Sequence, residues 1–257
     1  MPPWVHNAAN LAASFSFYGP AVEMEGVRCI DAPVAHQIFN IALLSAPVPD
    51  AKGGLEGRIA LAAEHYRARG RPWSFWVCAD LLGPRSTDRL FKIFDRECGK
   101  VCIASPPGME AGELAPPRHA PPALSFRRVR DAAARRAFCD IVCRCFHLPV
   151  PVGERLYLGA EAWDHPLQGW IGYRAGEPVC CAAVIEAGGC LGVYSVGTLP
   201  AHRGHGCGEA IVRHAVSAAQ AEGARGPVVL QSSPSGEGLY QAMGFRQTTR
   251  YYVFATA

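Results

Sequence analysis

The run Leu191 to Glu209, LGVYSVGTLPAHRGHGCGE, constrains the fold of this chain more than any other. An apolar, β-branched stretch stops at Pro200, a tight turn with an arginine follows, and a long amphipathic pattern starts almost at once. Glycines at 204, 206 and 208 leave successive backbone N–H groups uncovered by side chains. Placed where a helix begins, at the positive end of its dipole, such amides bind phosphate or pyrophosphate without a lysine. The spacing excludes two familiar phosphate loops. A P-loop needs lysine followed by Ser or Thr, whereas Gly208 is followed by Glu209. A dinucleotide loop needs G-x-G-x-x-G, whereas this run is G-x-G-x-G with arginine in front.

The flanking order extends the pattern. Leu124–Val129 reads as a strand and Asp131 opens a helix to about Phe146. Residues 153–158 and the Trp163 neighbourhood are irregular or briefly helical. Trp170–Arg174 and Val179–Glu186 form a hairpin about Ala175-Gly176-Glu177-Pro178, and Leu191–Leu199 is a third strand. A helix over Gly204–Glu222 closes at Gly223. Val228–Gln231 is a buried strand, Glu237–Met243 a short helix, and Tyr251–Phe254 a final strand. Strands alternating with helices around an antiparallel centre predict an α/β fold with a mixed sheet.

At this point the chain resembles the GCN5-related N-acetyltransferases, whose acetyl-CoA loop reads (Arg or Gln)-x-x-Gly-x-(Gly or Ala). Arg203, Gly206 and Gly208 occupy its fixed positions, and Gly238-Leu239-Tyr240-Gln241-Ala242-Met243-Gly244-Phe245 is similar to the family's tyrosine-bearing helix before a "G-F" strand. The resemblance covers residues 124–257. It implies a mixed, largely antiparallel central sheet flanked by helices, and transfer of an acetyl group from acetyl-CoA to a primary amine of a small molecule, amino acid or peptide. Val196, Gly197, Thr198 and Leu199 would then pair with the pantetheine arm. Arg203, Gly204, His205, Gly206, Cys207, Gly208 and Glu209 would hold the pyrophosphate, and Tyr240 would protonate the departing thiolate. The general base stays open. The strand 191–199 has no acid, which leaves Glu186, Glu237, or a water held near Tyr194 and Ser195. The alternative reading is a non-catalytic acyl-CoA sensor or assembly module on the same fold.

Ahead of this region, Ala104–Ala123 carries prolines at 106, 107, 116, 117, 121 and 122 and no apolar periodicity. It reads as a linker, residues 104–123, between a smaller α/β domain over 1–103 and the domain over 124–257. The first domain predicts helices over Pro33–Leu44 and Gly54–Arg69, a strand over Trp73–Ala79, a helix over Ser86–Glu97 with Ser86, Thr87 or Asp88 as cap, and a strand over Val101–Ala104. That order is consistent with a degenerate or partial copy of the acetyltransferase fold, as in tandem members of the family. Gly53-Gly54-Leu55-Glu56-Gly57-Arg58 lacks the arginine-first spacing, so one active site per chain is expected.

Composition removes other classes. At 49% hydrophobic and 18% charged residues the chain can bury sizeable cores. A net charge of +3 provides no phosphate-neutralising surface, so the arginines at 127, 128, 130, 135 and 136 read as a solvated face and no nucleic-acid partner is expected. The eleven cysteines contain no C-x-x-C pair and read as small buried hydrophobes in a reduced, cytoplasmic protein. His202 and His205 invite a metal reading, but a pyrophosphate turn holds its side chains outward, and no metal is expected. No apolar run suits a membrane span, and the oligomeric expectation is monomer or homodimer.

Overall fold

The computed structural model describes residues 2–257, which form two compact units. The larger unit combines the N-terminal segment through Phe17 with Met109–Arg246; the smaller combines Tyr18–Gly108 with Gln247–Ala257. This differs from the linear division at 104–123, because the first helix and the last strand each belong to the unit remote from them in sequence.

The first helix, α1 (Pro3–Phe15), starts on a proline at its first position and buries Asn7, Asn10, Leu11, Ser14 and Phe15. The smaller unit follows with β1 (Ala21–Met24), β2 (Val27–Ile30), β3 (Ile41–Leu44), α2 (Gly54–Arg67), β4 (Ser74–Cys78), α3 (Pro84–Cys98) and β5 (Val101–Ala104). The helix expected over Pro33–Leu44 is absent. Asn40 instead bonds through its side chain to Ala32 N, Val34 O and His36 O, folding residues 32–40 into turns. The fully buried Ile41–Leu44 then serves as a strand between β2 and β4. The α3 cap also differs: the helix begins at Pro84 after an extended Gly83, so Ser86, Thr87 and Asp88 lie inside it.

In the larger unit the chain continues through β6 (Pro107–Ala111), β7 (Ser125–Arg128), α4 (Ala132–Cys145), α5 (Val150–Tyr157), β8 (Gln168–Arg174) and β9 (Glu177–Ala187). It ends with β10 (Cys190–Thr198), α6 (Cys207–Ala221), β11 (Val228–Gln231) and α7 (Glu237–Ala242). The strand β12 (Arg246–Ala255) returns to the smaller unit, pairing antiparallel with β4 and β5. Part of the expected linker is therefore sheet. Proline is tolerated at the first residue of a strand, and in β6 the following Met109 and Ala111 are buried in the core of the larger unit. At the other end of that stretch, Asp131 caps α4 by accepting from Ala134 N at 2.9 Å.

The larger unit's sheet runs β6-β11-β10-β9-β8-β7, antiparallel from β10 to β7 and parallel between β10 and β11. On one face Val184, Leu191, Val193 and Leu230 meet Ile211, Ala215 and Val216 of α6 and Tyr240 of α7 in one apolar cluster. On the other lies α1. Gly192 leaves that side of β10 without a side chain, and a Cβ there would stand 1.8 Å from Asn10 Oδ1 and 2.6 Å from the Tyr194 ring. The smaller unit's sheet runs β1-β2-β3-β4-β12, with only β3 and β4 parallel.

Candidate active site

The site is built where β10 leaves its neighbour. β10 and β11 pair only at Leu191 with Val228 and Gly192 with Val229. Beyond Gly192 the β11-facing edge of β10 has no ladder partner. On its other side a bulge between Tyr194 and Gly197 interrupts the pairing with β9, which resumes at Gly197 with Cys181. Ser195 sits in this bulge with φ +50°, a left-handed conformation that costs a non-glycine residue ~1–2 kcal/mol. On the β11-facing edge the open length covers Val196, Gly197 and Thr198, while on the β9 side the Leu199 amide donates to Val179 O at 2.9 Å.

A short 3-10 turn over Pro200–His202 carries the chain into the loop. Gly204 and Gly206 hold φ of +75° and +74°, and these left-handed turns prevent the helix from starting at 204 as the sequence suggested. α6 begins at Cys207 instead. Among the described residues, none of the amides from Gly204 to Glu209 donates to a carbonyl or side chain, whereas Ala210 N donates to Gly206 O at 3.0 Å. Six consecutive free N–H groups at the start of a 15-residue helix form an anion nest. Gly208 lies beside α7: a Cβ there would be 3.5 Å from Leu239 Cδ2 and 3.5 Å from Thr198 Oγ1.

The side chains of the loop do structural work. Arg203 Nε donates to Thr198 O at 3.0 Å, tying the loop back to β10. His205 Nδ1 lies 2.8 Å from Arg203 O. Cys207 turns into the core, where burial pushes its thiol up, so only its amide is left for a ligand. Glu209 accepts from Arg213 Nε and Nη2 at 2.8 and 2.7 Å, which offsets its negative charge beside the nest. Among the described residues no group of three His, Cys, Asp or Glu side chains converges as metal ligands would, and His202 and His205 have no third donor.

Tyr240 is 7% exposed, lies in the same apolar cluster as Cys207 and Val193, and packs edge-on against Phe245. Burial pushes its phenol up to about 12, so it holds its proton throughout the physiological range. Of the candidate bases Glu186 is remote from it, whereas Glu237 lies three residues before it on α7. Glu186 pairs in register with Leu191, six residues along β9 from Cys180, which pairs with Thr198 at the loop end. That separation is about 20 Å along the strand. Its Oε1 accepts from Arg225 N at 3.1 Å beyond the far end of α6. Glu237 accepts from Gln241 one turn along α7. Tyr194, by contrast, is held in place: its hydroxyl donates to Asn10 Oδ1 at 2.8 Å. Asn10 Nδ2 in turn donates to Ile185 O, Ala187 O and Cys190 O at 2.9–3.1 Å. No local signal in the sequence marks Asn10, whose partners lie more than 170 residues away.

The smaller unit repeats this geometry with a different loop. The parallel pair β3–β4 brackets α2 as β10–β11 bracket α6. Gly53 caps α2 with φ +87° as Gly206 caps α6 with φ +74°. Counting from these caps, Arg203 is replaced by Asp50, whose Oδ1 accepts from Arg85 N. Gly208 is replaced by Leu55, which is fully buried.

Residues 166–247 match the family model described as acetyltransferase (GNAT) domain. Among solved structures, a GCN5-related N-acetyltransferase from Kribbella flavida aligns over 97% of this chain and 93% of its own, with TM-score 0.74 and 18% identity. A GNAT-family acetyltransferase structure from Novosphingobium aromaticivorans covers 100% of this chain and 97% of its own, with TM-score 0.56 and 17% identity. A tandem GNAT protein from the clavulanic acid biosynthesis pathway covers 98% and 92%, with TM-score 0.57 and 12% identity. No curated protein matches the sequence. The chain thus carries a GNAT-fold domain in its C-terminal region, as part of an apparent tandem GNAT-like architecture.

Proposed function

We propose that this chain transfers an acetyl group from acetyl-CoA to a primary amine of a small molecule, amino acid or peptide by direct attack. The observation that carries the reading is the nest of six free amides, Gly204–Glu209, opening α6 beside a strand that has parted from its neighbour. A diphosphate fits such a cradle, since Gly204 faces open space and the nest needs no metal to attract an anion. Acetyl-CoA, when bound, supplies the thioester; the rest is the work of this chain. The amides of 204–209 hold the phosphates. Backbone groups on the β11-facing edge of β10 within Val196–Leu199 would pair with the pantetheine amides, with the acyl end toward the bulge at Ser195. Tyr240 keeps its proton in a buried setting and gives it to sulfur as the C–S bond breaks. The proton lost by the amine leaves to water or to Glu237, because Glu186 serves the Arg225 amide at the far end of β9. The absence of an acid from β10 favours the second reading, a non-catalytic acyl-CoA-binding module.

Calorimetric titration with acetyl-CoA and with CoA, on the intact chain and on Gly206→Trp, tests the cofactor site. Micromolar binding lost in the variant supports it, and no binding by the folded intact chain overturns it. CoA release on addition of an amine panel then separates the enzyme from the binding module.

A further inference from the structure

The proline-rich stretch contains a symmetric segment, Ala115-Pro116-Pro117-Arg118-His119-Ala120-Pro121-Pro122, and the structure anchors both of its ends. At one end Ala115 N donates to Met243 O, at 2.8 Å, just past the C-terminus of α7. A Cβ on Gly244, held at φ +95°, would stand 3.2 Å from Ala115 N. At the other end the Pro122 ring lies against the nest: a Cβ on Gly206 would meet Pro122 Cδ at 3.4 Å. Outside these anchors Leu114 and Leu124 pack on the apolar cluster beneath. Between them residues 116–121 are exposed. The segment is therefore a strap from the end of the helix bearing Tyr240 to the start of the helix bearing the nest. Those two helices are neighbours through Leu239 and Gly208.

Two proline pairs restrict the two ends of the strap, and the chain bends at Arg118 and His119 between them. Arg118 and His119 are exposed, and among the described residues neither has an acidic partner. A strap that ends with Pro122 against Gly206 and carries an exposed arginine and histidine a few residues before it has the donors to meet a phosphate ligand from outside the nest.

Resting on the reading above, we infer that Arg118 and His119 are phosphate ligands of the cofactor site, closing on the phosphate groups of CoA from the solvent side of the nest. The two contacts are exposed, so their contribution is modest and salt-sensitive. Replacing both should weaken CoA binding about tenfold at low ionic strength, a difference that shrinks as salt is added.

The test is calorimetry on the full chain and on Arg118→Ala/His119→Ala, with CoA and with dephospho-CoA, at low and at moderate potassium chloride. A loss confined to CoA assigns the pair to the 3′-phosphate, and an equal loss for both ligands assigns it to the diphosphate; either supports the proposal. Binding unchanged within twofold, or tightened because the strap shields the nest, overturns it while leaving the cofactor site intact. No binding of CoA by the unaltered chain overturns both readings. Both residues are exposed, so thermal unfolding of the variant should match that of the unaltered chain.

Discussion

Asn10 gives the sharpest measure of how firmly α1 is built into the larger unit. The residue is fully buried, and its side chain satisfies four partners: three carbonyls of the β9–β10 hairpin and the Tyr194 hydroxyl. Asn10→Leu keeps the branching at Cγ, adds some bulk, and removes all four bonds. Two partners have a way out, since Ala187 O keeps the Cys190 thiol at 3.3 Å and the half-buried Tyr194 hydroxyl is within reach of water. The carbonyls of Ile185 and Cys190 carry most of the cost. At ~1 kcal/mol net per bond, and more where a buried acceptor is left unpaired, the expected loss is about 2–4 kcal/mol. Urea unfolding followed by far-UV circular dichroism measures it as a lowered midpoint at unchanged slope.

Asn10→Asp sharpens the test, because it keeps the shape while removing donors. An ionised carboxylate at this position faces three carbonyl oxygens in a dry setting, so its folded-state pKa rises above the ordinary value. The folded state then binds more protons than the unfolded state, and stability falls as pH rises through that interval. The Asp variant should therefore be weaker at pH 8 than at pH 5, relative to the unaltered chain. A change under ~0.5 kcal/mol for Asn10→Leu, within the range of an inconsequential surface substitution, would refute the reasoning. So would a pH-independent Asp variant.

Four further outcomes are expected. Tyr240→Phe should lower turnover about 100-fold or more while acetyl-CoA affinity stays within about threefold, as for loss of a general acid. Because the phenol is pushed up to about 12, the unaltered chain should show no alkaline loss of activity from this group up to about pH 10 in a thiol-release assay. Glu186→Gln should change turnover by less than about twofold and leave the pH profile in place, since its carboxylate serves the Arg225 amide; a tenfold drop would restore it as a base. Gly153→Ala would put a Cβ 2.3 Å from Cys143 Sγ and 3.3 Å from Cys139 Sγ. The overpacking should cost ~1–3 kcal/mol in thermal unfolding, and Cys143→Ala in the same chain should recover most of it.

The elements that were legible in the sequence are those whose cause is local. The loop between β10 and α6 could be read because two left-handed turns need glycine at 204 and 206 wherever the rest of the chain goes. α4 begins with its own cap at Asp131, and α3 stops at the left-handed Gly99. The β8–β9 hairpin turns on Ala175 and Gly176, both at positive φ, as its short turn requires. Pro178 falls inside β9 rather than beyond its end, at a shift of register with β8.

What the sequence by itself determined is thus the glycine turn ahead of α6, the strand that feeds it, the short helix that follows, and the resemblance they carry. Only the tertiary structure decided the rest, because the deciding partners are remote. The segment 33–44 has enough apolar residues for a helix, yet Asn40 turns it, and Ile41–Leu44 gain more by burial between two strands than one helical face would provide. α1 has no feature of its own to mark Asn7 and Asn10 as clamps, since their partners are strand carbonyls far along the chain. The proline-rich stretch reads as a spacer until Ala115 and Pro122 are seen against Met243 and Gly206. Glu186 is close to the site in sequence but lies at the far end of a strand, because a β-strand advances about 3.3 Å per residue. Backbone conformation is encoded where a residue stands, whereas burial and hydrogen-bond satisfaction are settled among residues that meet only once the chain has folded.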